Sequence, residues 1–158
     1  MRLFRPILKV FVIIIAFSAG SAGAQDNSIG LGFMIGEPTG LSGKVWWDDT
    51  MAFDGGVAWS FTDDTELSLH GDAIWHNWRV LMDAFEITRD IQLPLYYGVG
   101  GRLTAGDDTR LGIRFVIGVS MIFEDAPFDL FLEAAPIMDV APETVLRAHA
   151  AVGVRFWF

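Results

Sequence analysis

The chain has 158 residues, 52% of them hydrophobic, with no cysteine and a formal charge of −9 at pH 7. This length predicts a single domain. The lack of cysteine excludes a disulfide framework, a thiolate metal site and the acylated cysteine of a bacterial lipoprotein. The acidic balance argues against nucleic acid as a partner.

Residues 1–24 have the pattern of a secretory signal peptide. Three basic residues precede the apolar run 10–17, and small residues follow up to Ala24. The apolar run is too short for a membrane-spanning helix, which needs about 20 residues. We therefore expect a cleaved signal peptide and a mature domain of residues 25–158, whose formal charge changes from −9 to −12 because the three basic residues are lost.

From Ile29 onward, apolar residues recur at every second position, which is the period of a β-strand. Turn-forming clusters and the segment 79–92 interrupt this pattern seven times and so predict eight strands. About 17 residues per strand and connection suit strands that cross a bilayer at a tilt. The pattern predicts an all-β fold, namely a closed eight-stranded antiparallel transmembrane β-barrel.

Side-chain size indicates which face of the sheet is enclosed. The charged face also carries many Gly and Ala residues, as a narrow interior requires, whereas the opposite face carries bulky Leu, Ile, Phe and Trp. A soluble barrel of the lipocalin type would instead place its apolar face inside. We therefore predict that the apolar face contacts lipid, where unpaired strand edges are too costly to leave open.

The enclosed face carries four basic and four acidic residues that predict an ion-pair network in the lumen. Unpaired buried charges are too costly to persist, and a porin channel needs about 16 strands. We expect a filled lumen, with a narrow small-solute channel as an alternative. The predicted network consists of Lys44, Asp54, Asp72, Arg102, Arg114, Asp129, Glu133 and Arg155.

Two sets of residues on the apolar face have predicted membrane roles. Aromatic residues near strand ends predict girdles at the two interfaces, namely Trp47, Trp59, Phe61 and Trp75. The last strand is similar to the signal by which the outer-membrane assembly machinery recognises barrels. The residues of this chain that match the signal are Val152, Val154, Phe156 and Phe158.

Several short strings resemble a known family. They are 35–42 (IGEPTGLS), 59–61 (WSF), 69–72 (LHGD), 75–77 (WHN), 93–98 (LPLYYG), 123–128 (FEDAPF) and 153–155 (GVR). The strings resemble a family of small outer-membrane β-barrels of unknown function, known from spirochaetes and other Gram-negative-type bacteria, whose architecture is similar to the OmpA and OmpX type. The resemblance covers nearly the whole mature chain, and it implies no catalytic residue.

Ser68, His70 and Asp72 are the residue types of a nucleophilic triad and share one face of a strand. Residues two apart on a strand are separated by about 6.6 Å and point in parallel, whereas a triad needs contacts near 3 Å. His70 and His76 are likewise too far apart to chelate one metal. We therefore predict no catalytic site, metal or cofactor, and a lipid-modifying outer-membrane enzyme stays an alternative.

The segment 79–92 fits this architecture poorly, because turns on the periplasmic side of such barrels are normally short. Three interpretations are open: extended strands, a short helix over 80–91, or a different strand count. We favour extended strands.

The overall prediction is a non-enzymatic integral outer-membrane barrel with a structural or surface-interaction role. Its expected partners are lipid, lipopolysaccharide and, during biogenesis, the barrel assembly machinery.

Overall fold

The computed structural model describes residues 28–37, 39–60, 66–85, 91–106 and 109–158. The predicted signal peptide, residues 1–24, and the predicted girdle residue Phe61 lie outside the described residues. The elements are β1 (Ile29–Glu37), β2 (Gly40–Trp46), β3 (Met51–Ser60), β4 (Glu66–Asn77), α1 (Val80–Phe85), β5 (Ile91–Gln92), β6 (Leu95–Ala105), β7 (Arg110–Phe123), β8 (Phe128–Ala141) and β9 (Val145–Trp157).

The strands close into a barrel because β1 pairs with both β2 and β9. Around the ring the order is β1, β2, β3, β4, β6, β7, β8 and β9, and every neighbouring pair is antiparallel. The prediction of an all-β, closed eight-stranded antiparallel barrel is confirmed. The end of the barrel that carries Ser28 and Phe158 is called the Ser28 end, and the opposite end is called the Glu66 end.

The short strand β5 belongs to the same barrel strand as β6. Ile91 lies opposite Phe123 on β7, and Leu95 lies opposite Val119, so the register continues without a shift. Between the two pieces, the Pro94 carbonyl accepts a hydrogen bond of 3.1 Å from the Ser120 amide. Proline lacks an amide hydrogen, and this accounts for the interruption of the ladder.

The segment 79–92 corrects the sequence prediction in part, because residues 80–85 form the helix α1 rather than an extension of β4, whereas Ile91 and Gln92 are extended as β5. The Asn77 side-chain oxygen accepts hydrogen bonds from the amides of Arg79 at 3.1 Å and Val80 at 3.2 Å, which is the geometry of a helix N-cap. The cap ends β4 and starts the helix. Within the described residues, no helix is long and apolar enough to cross a membrane.

Exposed and buried side chains alternate along the strands, most regularly along β8. Its exposed positions include Leu130 and Leu132, and the alternate positions Asp129, Phe131 and Glu133 are buried. The pleat of a strand sends successive side chains to opposite faces. The apolar face is therefore the outer surface, and the charged face lines the lumen.

The lumen also holds large apolar side chains, which the sequence analysis did not assign to this face. Tyr96, Ile74 and Val116 pack together with Ala52 near the Ser28 end. Met34 and Phe131 form a second cluster with Ala58 and Ala151. Glycines opposite the large side chains make room for them. A β-carbon at Gly118, for example, would overlap the Tyr96 ring.

Candidate functional site

The lumen is the candidate site, because three buried arginines cross it at different heights. Arg155 lies near the Ser28 end, Arg114 near the middle and Arg102 nearer the Glu66 end. Each arginine bonds a carboxylate on a strand that is not its neighbour. Arg102 and Arg114 each reach past one intervening strand, and Arg155 reaches past two.

Arg114 on β7 forms the central bridge. Its Nε donates to Asp72 Oδ2 on β4 at 2.9 Å, and its Nη2 donates to Glu133 on β8. The second oxygen of Glu133 accepts a hydrogen bond of 3.0 Å from the Tyr96 hydroxyl. Arg114, Asp72 and Glu133 are each less than one tenth exposed. One guanidinium is therefore shared by two carboxylates through charge-assisted hydrogen bonds, which are stronger than neutral ones.

Arg155 on β9 forms the bridge near the Ser28 end. Its Nη2 donates to Asp54 Oδ2 at 2.6 Å, and its Nε donates to Ser42 Oγ at 3.0 Å. The guanidinium carbon lies 3.8 Å from the centre of the Phe131 ring, which is a cation–π contact. The side chain is 1% exposed, so all of these contacts are desolvated.

Arg102 on β6 forms the bridge nearer the Glu66 end, with an acid that the sequence analysis missed. Its Nη2 donates to Asp139 Oδ1 at 2.6 Å, and its Nη1 lies 3.1 Å from His149 Nε2. The other oxygen of Asp139 accepts from Arg147 Nε at 2.8 Å. Asp139 could have been found from the sequence, because it continues the alternation that places Asp129 and Glu133 inside.

Lys44 belongs to the predicted network but contacts no carboxylate within ion-pair distance among the described residues. Its Nζ lies 2.8 Å from His76 Nε2, and His76 Nδ1 lies 3.1 Å from the Thr50 carbonyl. An ammonium group can only donate, so Nε2 accepts and Nδ1 carries the proton. The ammonium also lies 4.5 Å from the Trp46 ring and 5.4 Å from the Tyr96 ring.

Asp129, the remaining member of the predicted network, is fully buried. It lies directly opposite Arg155 in the register, yet Arg155 bonds Asp54 instead. Neither carboxylate oxygen of Asp129 makes a hydrogen bond of normal geometry with another described residue, although Trp157 lies beside it. Arg155 and Lys44 are the basic groups that act on this carboxylate through space.

The structure does not join Ser68, His70 and Asp72 into a triad. Ser68 Oγ lies 3.4 Å from Thr104 Oγ1, and Asp72 bonds Arg114. His70 Nδ1 makes no hydrogen bond with another described residue. Among the described residues, no group of three or more His, Asp or Glu side chains is placed to hold a metal ion.

A cavity of about 930 Å³ opens at the Ser28 end. Its inner wall includes Trp46, which stacks on Trp78 with ring centres 5.8 Å apart and on Trp157 with ring centres 6.3 Å apart. Lys44 packs against Trp46 and Trp157. Indole rings therefore separate this cavity from the charged interior. The acidic residues that line it are Asp48, Asp49, Glu124 and Asp125.

The outer surface carries the described residues of the two predicted membrane features. Trp47 and Trp75 lie at the Ser28 end and Trp59 lies towards the Glu66 end, and all three are exposed. The residues of the predicted assembly signal are all exposed, namely Val152, Val154, Phe156 and Phe158.

No protein-family model and no curated protein matches this sequence. Among solved structures, the barrel is similar to the crystal structure of Neisserial surface protein A. The TM-score is 0.46 and the sequence identity is 16%, over 82% of this chain and 92% of that chain.

Proposed function

We propose that the chain is an integral β-barrel of the bacterial outer membrane that is not an enzyme and has a structural or surface-interaction role. The observation that carries this proposal is the inside-out distribution of side chains. Phe33, Ile35 and Leu132 are all more than half exposed, whereas Arg114 and Arg155 are at most 2% exposed. A water-soluble protein rarely exposes a continuous apolar surface of this kind, but a membrane barrel requires one.

Closure of the sheet supports the same environment. Among the described residues, every strand of the eight-stranded ring pairs with a neighbour on each side, and β9, for example, pairs with β8 and, from Ala150 to Trp157, with β1. In hydrocarbon each unpaired backbone group would cost several kcal/mol, and closed barrels avoid this cost. Lipid and lipopolysaccharide are the proposed neighbours of the apolar surface. The outward apolar residues of β9 are the proposed contact with the assembly machinery.

We propose that the lumen is closed to solutes. Three buried arginines and their carboxylate partners occupy it, together with the clusters around Tyr96 and Phe131. A barrel of eight strands is just wide enough for its own side chains. This favours a structural role over the narrow-channel alternative.

Envelope fractionation with a heat-modifiability gel tests the membrane location. We expect the protein in the outer-membrane fraction and a different migration before and after boiling, because a folded barrel resists detergent. Recovery as a soluble periplasmic protein would refute the proposal.

Two measurements test the closed, non-enzymatic barrel. The purified protein should give no conductance in planar bilayers, and regular wild-type conductance steps would favour the channel. Ser68→Ala and His70→Ala should leave the lipid composition of purified envelopes unchanged. A lipid change lost in both variants would favour the lipid-modifying enzyme.

A further inference from the structure

The helix α1 presents an apolar surface that the barrel leaves uncovered. Five of its six residues are apolar, and none of the six is buried by the part of the chain that the structure describes. Phe85 is 69% exposed and Val80 is 49% exposed. A helix this short is unstable in water by itself, so a packing surface must stabilise it.

The chain nevertheless holds α1 in a defined place. Asn77 caps its first turn through two backbone amides. Trp78, just before the helix, donates its indole hydrogen to the Asp49 carbonyl at 2.9 Å, which attaches this segment to the turn between β2 and β3. Trp78 also stacks on Trp46 beside the cavity, so these contacts fix the start of an apolar helix at the Ser28 end of the barrel.

The helix begins three residues after β4, at the end of that strand where its outer face carries Trp75. Trp75 on β4 faces outward directly opposite the exposed Tyr97 on β6, and both lie near the Ser28 end. Val80 follows Trp75 by five residues, so the chain places it at most about 18 Å away. At 100° per residue, Leu81, Met82 and Phe85 share one side of the helix, and Asp83 lies on the other. Leu81 and Met82 are half-buried, and Phe85 is exposed.

We propose that α1 is an interfacial anchor that lies in the headgroup region of the leaflet at the Ser28 end, with the lipid bilayer as its partner. This inference rests on the proposed membrane location. Continuity with the outward pair Trp75 and Tyr97 favours lipid over a soluble partner. Arg79, which precedes the helix, is exposed and placed to contact lipid phosphate.

Spin labels on single cysteines test the anchor, because the chain has no cysteine of its own. The variants are Phe85→Cys in α1, Phe115→Cys on the outward face of β7, and Asp125→Cys in a turn at the Ser28 end. Each labelled protein is reconstituted into phosphatidylethanolamine–phosphatidylglycerol vesicles, and folding is checked by heat modifiability. Collisions with oxygen report lipid contact, and collisions with a water-soluble nickel chelate report water contact.

We expect the ratio of oxygen to nickel accessibility at Phe85 to lie between the high ratio at Phe115 and the low ratio at Asp125. A Phe85 ratio equal to that at Asp125, with Phe115 still in lipid, would overturn the anchor and leave the barrel proposal intact. Shielding of Phe85 from both probes would also overturn it, because a protein would then cover the helix. Water contact at Phe115 would refute the membrane location itself.

Discussion

Arg155 on β9 and Asp54 on β3 form an ion pair of 2.6 Å although two complete strands, β1 and β2, separate them around the barrel. The pair lies inside the lumen, where the Arg155 side chain is 1% exposed and the Asp54 side chain is 4% exposed. Its geometry makes it the most direct test of how the interior stabilises the barrel.

Replacing Arg155 by Met should strongly destabilise the barrel, because it leaves Asp54 buried without its counter-ion. Removing one partner of a buried ion pair typically costs about 3–5 kcal/mol. The measurement is the free energy of unfolding in urea in lipid vesicles. Arg147→Met is the matched control: Arg147 also pairs with a carboxylate, but its side chain is 44% exposed, and a loss below about 1 kcal/mol is expected. Equal losses in the two variants would contradict this account.

Lys44→Met should cost less than Arg155→Met. Lys44 contacts His76 and aromatic rings, so its removal breaks no direct ion pair, and Met retains most of the packing. The lost cation–π contacts are worth about 0.5–2 kcal/mol. The same unfolding measurement compares the two variants. Equal losses in Lys44→Met and Arg155→Met would contradict this ranking.

Gly118→Ala should destabilise the barrel, because the added methyl group would overlap the Tyr96 ring and disturb its bond to Glu133. Overpacking of this kind typically costs about 1–3 kcal/mol. Gly71→Ala is the control, since a β-carbon there meets its nearest neighbour, the Asp54 carbonyl, at 4.0 Å. Urea unfolding of the two variants measures the difference. A neutral Gly118→Ala would show that the Tyr96 ring can move aside freely.

The turn between β2 and β3 should loosen in acid. The amides of Thr50 and Met51 and the Thr50 hydroxyl donate to Asp48, which holds the pKa of this carboxyl below its usual range. A depressed folded-state pKa contributes stability above the unfolded-state pKa, and this contribution is lost as the pH falls through the folded-state pKa.

Hydrogen exchange at the Met51 amide, followed against pH, measures this effect. Asp48→Asn keeps a side-chain acceptor but cannot titrate, so it should remove the acid-dependent loss of protection. A pH profile unchanged by the substitution would assign the effect to another group.

The barrel could be predicted from sequence because alternation follows from strand geometry and needs no knowledge of neighbours. Particular contacts across the lumen could not, since they join strands far apart in the chain. Arg155 bonds Asp54 rather than Asp129, which faces it in the register. The interior position of Phe131 was missed because charge and small size were taken as the marks of the enclosed face.

The helix α1 was missed for a different reason. A run as short as 80–85 fits a strand or a helix equally well by periodicity. The informative signal was Asn77, whose side chain caps the amides that follow. A capping residue at the end of a strand would have favoured the helix among the three interpretations.

The long separation between partners in the lumen also constrains biogenesis. Asp54 and Arg155 are 101 positions apart. If the barrel is inserted into a membrane, as proposed, and its strands enter in chain order, Asp54 lacks its counter-ion until the final strand arrives. Neutralisation of the interior would then be coupled to the seam between β1 and β9, and release of an incomplete sheet would expose an ionised surface to lipid.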